Sequence, residues 1–276
     1  MQGAAAQQQG VDRRAVAKGI IWTVPAISLA AAAPAYAASP TGCHTLNWAS
    51  TSGTATSISG TATRDSGSSG PSVSVSVTTS RSGGSAVTFG AERYDMKGYA
   101  AGSQAAVGSN NTRNNQSNSF VVAPGSTSSV LVLNQWSGAT GQPTRANQTL
   151  TFSISSSGTT RLPRSISFKI YDVTSQVSGE NSKFYYSDRV AITGGTVAFS
   201  QFTGYSQSSY TTASNGVLDM KDKTQVSTQT GNHVTATITN PTSNRFTLNY
   251  SNSATQAPTI TGNQQYIALG DLRVCY

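Results

Sequence analysis

The chain reads as an all-β protein, an antiparallel β-sandwich, preceded by an export signal. Three observations predict this. Apolar residues alternate with Ser and Thr in one short segment after another. Only 10% of residues are charged, while 11 Tyr, 8 Phe and many Thr and Val supply strand-forming side chains. Gly- and Asn-containing pairs fall between the alternating runs, where tight turns need them.

Residues 1–37 form a unit of their own. Arg13, Arg14 and Lys18 make a basic segment, and Ile20, Ile21, Trp22, Val24, Ile27 and Leu29 with an alanine run make an apolar one. Ala35-Tyr36-Ala37 is an A-x-A cleavage site with Ala38 as the first mature residue. The alternative is a retained membrane anchor. Pro25 and Pro34 interrupt the run, and a spanning helix wants about 20 strongly apolar residues. Cleavage is therefore the expectation, with no stable membrane span afterwards. Arg13-Arg14 suits twin-arginine export, and the Sec route stays open.

The mature segment, residues 38–276, is long enough for one domain with a real core. Formal charge is +8, and residues 1–37 carry three bases and one acid, which leaves about +6. The basic residues are scattered singly and are not interleaved with aromatics, so nucleic acid is not an expected partner. Cell-envelope polymers or other surface proteins are. Cys43 lies near the predicted mature start and Cys275 is the penultimate residue. An even count in an exported chain predicts a disulfide between the first strand and the last.

Strands are expected along Ser72–Thr78, Thr149–Ser155, Ser165–Tyr171, Val234–Ile238 after His233, and Phe246–Tyr250 after Arg245, each with period-two alternation. Around ten to fourteen strands fit the turn spacing, and barrel closure remains an alternative to a sandwich. The charged patch Glu92–Lys97 suggests a short helical turn near residues 91–101. Residues 102–119, rich in Gln, Asn, Ser and Gly, read as a long loop.

The strand Ser165–Asp172, followed by Val173-Thr174-Ser175 and then Tyr186–Thr193, resembles a pattern of jelly-roll-like β-sandwich domains in exported actinobacterial surface proteins. The segments Phe246–Ser251 and Gln265–Val274 are similar to their closing strands, and the signal segment to their leaders. The resemblance implies an extracellular or cell-surface structural or adhesive protein, not an enzyme. The family pattern carries a second acid where Thr174 stands here. Ca²⁺ wants six to eight oxygens, so Asp172 and Asp188 alone make a weak metal site and no cofactor is expected.

Catalytic constellations do not emerge. His44 and His233 lack a nucleophile-elbow context and read as turn or surface histidines. The few acids show no spacing that singles out a glycosidase pair. Aromatic rings beside amide-rich loops could stack on sugars. Tyr185, Tyr186, Tyr205 and Tyr210 are the candidate ligand-facing residues, with carbohydrate or envelope-glycan binding as the alternative function. Trp48 and Trp136 are expected in the core. No sortase-type motif precedes an apolar tail, so the product is expected to be released or held non-covalently.

Overall fold

Alternation along the chain is cashed out as burial on one side of each strand. In Asn147–Ser156 the residues Gln148, Leu150, Phe152 and Ile154 are buried while their neighbours are not. His233–Thr239 and Arg245–Asn252 repeat the pattern with Val234, Ala236 and Ile238, and with Phe246, Leu248 and Tyr250. A pleated strand puts successive side chains on opposite faces, so each of these segments has one apolar and one polar side.

The computed structural model describes residues 42–54, 56–67, 72–82, 96–99, 104–106, 119–121, 129–136, 147–157, 160–176, 186–204, 206–220, 232–253 and 264–276. In chain order the strands are β1 (Cys43–Leu46), β2 (Ser52–Thr54), β3 (Ser57–Arg64), β4 (Val73–Ser82), β5 (Met96–Tyr99), β6 (Gln104–Ala106), β7 (Ser119–Val121), β8 (Val130–Trp136), β9 (Asn147–Ser156) and β10 (Ser165–Tyr171). There follow β11 (Ser175–Gln176), β12 (Tyr186–Thr193), β13 (Thr196–Thr203), β14 (Tyr210–Ser214), β15 (Val217–Met220), β16 (His233–Thr239), β17 (Arg245–Asn252), β18 (Gln264–Leu269) and β19 (Leu272–Cys275). Helix is confined, among the described residues, to single 3₁₀ turns at Trp48–Ser50 and Gln207–Ser209.

Seventeen of these strands join one curled antiparallel sheet, a half-barrel. The all-β expectation holds, and the strand count exceeds the ten to fourteen read from turn spacing. Short strands such as β2 and β11 carry too few residues to show an alternation. One wing of the sheet runs β13-β16-β10-β19-β1, and the other β15-β12-β17-β9-β4-β3. Strand β3 belongs to both, pairing with β1 through Thr63 and Arg64 and with β4 through Ser57–Ala62.

The inner faces share one core. Phe152 stacks on Phe246 at 4.2 Å between ring centroids, and Phe168 from the other wing lies 5.9 Å from Phe246. Trp48 is buried edge-on to Phe152, as expected, and its indole donates to the Gly270 carbonyl at 2.8 Å. The side chain of Trp136 is outside the described residues. The described strands belong to one compact unit, residues 41–276. Residues 1–37, with Ala35, Ala37 and the Ala38 cleavage point, lie outside the described residues.

Cys43 and Cys275 are bonded, with Cα atoms 4.1 Å apart, and they are register partners of β1 and β19. Two local expectations change. Met96–Tyr99 is a strand paired with Val130–Leu133, not a helical turn, because tertiary pairing overrides the local charge pattern. Residues 104–106, inside the segment read as a loop, pair with 119–121 as a two-stranded ribbon.

Candidate functional site

The outer face of the first wing carries an open groove of about 280 Å³. Its walls are outward residues of neighbouring strands, placed by register. Thr45 of β1 lies opposite Arg273 of β19, which lies opposite Ser167 of β10. One row along, Lys169 lies opposite Thr235 of β16. Gln201 enters from a bulge in β13, where the register shifts between Ser200 and Thr203. Its backbone sits at φ 52, a conformation that non-glycine residues adopt uncommonly. Bulges re-aim side chains, and here the Gln201 carboxamide oxygen accepts the Thr235 hydroxyl at 2.8 Å.

The floor is braced from the core. Gly270 and Asp271 connect β18 to β19. The Gly270 carbonyl takes the Trp48 indole, and its N–H donates to the Lys169 carbonyl at 2.8 Å. A Cβ on Gly270 would stand 3.2 Å from Lys169 Cβ and 3.3 Å from the Tyr171 ring, so a larger residue would crowd the groove wall. Asp271 accepts the Ser129 hydroxyl at 2.6 Å, and that hydroxyl oxygen in turn accepts the Trp48 backbone N–H.

Charges in and beside the groove are balanced. Arg273 Nε donates to Asp65 at 2.7 Å, and the Thr45 hydroxyl donates to the other Asp65 oxygen at 2.7 Å. Burial raises the Asp65 carboxyl, but these two hydrogen bonds, together with the charges of Arg273 and His44, outweigh it and hold the group below the ordinary carboxylate value. Lys169 is exposed, with no acid bonded to it among the described residues, and Asp271 supplies a second carboxylate. The groove thus presents hydroxyls, an amide, two cations and an acid, with an aromatic residue, Tyr171, in its wall.

A second polar cluster lies where β10 ends and β12 begins. Asp172 follows β10 with φ 62, and its N–H donates to the Asn232 carbonyl at 3.2 Å. Asp188 is fully buried. Its Oδ2 accepts the Thr174 N–H at 3.0 Å and the Thr174 hydroxyl at 3.4 Å, and its Oδ1 accepts the Tyr250 hydroxyl at 2.9 Å. Asp188 thus takes a backbone N–H bond near the start of its strand. Burial pushes the Asp172 carboxyl up to about 7, against the opposing hydrogen bond of Tyr266. Burial also lifts Asp188 well above its ordinary value, with the nearby Asp172 charge adding to the rise. The two carboxyls lie near enough for the charge of one to act on the other. Among the described residues no group of three or more His, Cys, Asp or Glu could hold a metal ion.

The tyrosines fare differently. Tyr210 is buried in the core beside Phe202, 5.6 Å between ring centroids, so it is not ligand-facing. It opens β14 against Met220, and the bulge after it turns its ring inward. Tyr186 lies in β12, opposite Gln176, and its side chain is outside the described residues. Tyr185 and Tyr205 also lie outside them. Tyr171, not singled out from the sequence, is an aromatic of the groove, with Phe168 beside it. Its alternation with Lys169 and Ser167 in S-I-S-F-K-I-Y was the available signal.

One histidine expectation needs correction. His44 is buried on β1, edge-on to Tyr276, with neither ring nitrogen hydrogen-bonded. Burial, then the charge of Arg64, lowers its pKa. His233 is half-buried on β16, 5.2 Å from the Tyr171 ring. No family model, curated protein or solved structure matches this chain.

Proposed function

We propose that the protein is an exported, non-catalytic adhesive β-sandwich that holds a saccharide chain of the cell envelope in the groove of its first wing. The observation that carries this reading is the chemistry of the groove wall. Hydroxyl-rich ligands need donors and acceptors side by side, and the Thr45, Ser167, Gln201, Thr235 and Asp271 side chains supply both within one concavity. Sugar binding also favours a pre-formed surface. The bracing of Asp271, Gly270 and Gln201 to the core and to neighbouring strands supports that.

Charge balance argues for a neutral or zwitterionic saccharide over a polyanion. Asp65 occupies Arg273, and Asp271 offsets Lys169 in the same groove. A disulfide joining β1 to β19 suits an extracellular site of action. Among the described residues no helix is long and apolar enough to cross a membrane.

Glycan-array binding, followed by titration of the best hit, tests the proposal. The double variant Lys169→Ala/Gln201→Ala should weaken binding about tenfold or more, roughly 1.4 kcal/mol, while leaving the melting temperature unchanged. Affinity should change little between low and high salt, since no net charge is screened. Equal affinity in the double variant, or no saccharide bound at all, would overturn the reading.

A further inference from the structure

Hydrogen bonds already made within the groove polarise it across the strands. On the β16 side the Thr235 hydroxyl donates to Gln201 Oε1. The carboxamide therefore turns its nitrogen, with its N–H donors, away from Thr235. Lys169 lies directly opposite Thr235 in the β10–β16 register, and it is exposed, with no bonded acid among the described residues. Lys169 and Gln201 both line the groove, and Thr235 is the neighbour they share. This side thus offers an ammonium and an amide nitrogen, groups that donate hydrogen bonds and do not accept them.

The β19 side has the opposite character. The Thr45 hydroxyl and Arg273 Nε both donate to Asp65, so this cation already has its counter-charge. With its proton engaged, Thr45 keeps only acceptor capacity. Asp271, just before β19, adds a carboxylate, an acceptor-only group that the Ser129 hydroxyl holds in place at 2.6 Å. β10 separates β16 from β19, so the two sides stand two strand spacings, about 10 Å, apart.

We propose that the groove selects a zwitterionic sugar unit, binding its acidic group at Lys169 and Gln201 and its ammonium group at Asp271. This selection presupposes the saccharide ligand proposed above and fixes its charge pattern. A neutral sugar would leave the Lys169 ammonium with no counter-charge. A sugar with acids at both ends would set one of them against Asp271. Opposite charges at the two ends match both sides of the groove, and each charged contact is roughly twice as strong as a neutral hydrogen bond. Carboxylate and phosphate present the same acceptor oxygens to Lys169 and Gln201, and experiment separates them.

Calorimetric titration at pH 6, where amine and acid are both ionised, is the test. N-acetylglucosamine carries neither charge, glucosamine the amine, N-acetylmuramic acid the carboxylate, and muramic acid both. Muramic acid should bind about tenfold or more tighter than either singly charged sugar. Lys169→Met should erase the gain from the acid and keep the gain from the amine, and Asp271→Asn should do the reverse. Thermal melts report whether both variants fold. If Asp271→Asn melts low, the wild-type comparison of glucosamine with N-acetylglucosamine still reads the ammonium contact. Glucosamine phosphorylated on its primary hydroxyl is the phosphate arm: tighter binding than muramic acid assigns the acid as a phosphate, weaker binding as a carboxylate. Equal affinity for all these sugars, with binding still weakened in Lys169→Ala/Gln201→Ala, would overturn the zwitterion and keep the saccharide groove. A gain from the acid that survives Lys169→Met would overturn the assignment to Lys169. Binding of none of them would overturn both readings.

Discussion

Asp172 combines a left-handed backbone with a carboxyl whose pKa burial raises to about 7. Its folded pKa is above the unfolded one. The stability it contributes is therefore complete below about pH 4 and lost as pH rises through about 7. Asp188 acts in the same direction. His44 acts in the opposite one, because its lowered pKa removes stability as pH falls below its ordinary value of 6.5. Asn tolerates positive φ and can keep accepting the Tyr266 hydroxyl, so Asp172→Asn preserves the geometry without the ionisation. It should stabilise the protein by about 1–3 kcal/mol at pH 8 and leave it nearly unchanged at pH 4. Urea denaturation at both pH values reads this. Equal wild-type and variant stability at pH 8 would show that Asp172 ionises freely in the fold. Asp172 and Asp188 could be singled out in the sequence because both flank one connection. The burial of His44 was not legible there, since a histidine beside a cysteine near the chain start carries no sign of which face it takes.

At the scale of elements, the long alternating strands could be read directly, because Val, Leu, Ile and Phe fall at every second position in β4, β9, β10, β16 and β17. The groove could not. It depends on which strands are neighbours, and Thr45, Ser167 and Arg273 come together only through pairings spanning most of the chain. The bulge in β13 is another feature that no local pattern announces, since Gln201 and Phe202 read as ordinary strand residues. Gly204, just beyond β13, shows how tightly such a junction is built. Its φ is +84, and a Cβ would collide with Asn232 Oδ1. Gly204→Ala combines an unfavourable backbone with displacement of the buried Asn232 side chain. It should cost about 1–3 kcal/mol, lowering the denaturation midpoint. Because Asn232 receives the Asp172 N–H and precedes β16, the variant should also speed amide exchange at Asp172. An unchanged midpoint would mean that the β13–β16 junction relaxes without loss.

Across the whole molecule, closure rests on the first and last strands. β1 lies between β3 and β19, so it links both wings, and β19 continues to β10 in the first wing. The disulfide sits in that seam and closes a loop of 232 residues. Chain-entropy reasoning credits a loop of that length with roughly 5 kcal/mol at most, through restriction of the unfolded chain. The seam also holds by other means. Leu46, Leu272 and Val274 are buried, the Arg164 N–H donates to the Cys275 carbonyl at 2.7 Å, and the Tyr276 N–H donates to Gly42 at 3.1 Å. Cys43→Ser/Cys275→Ser should therefore keep the fold while losing about 2–5 kcal/mol, seen as a lower denaturation midpoint with a native-like circular dichroism spectrum. The groove shares this seam through Thr45 and Arg273, so loosening it should also weaken saccharide binding, more than loss at a remote site would. A variant with an unchanged midpoint would show that strand pairing and the core alone hold the termini. A variant that fails to fold would show that β1 and β19 cannot find each other without the bond.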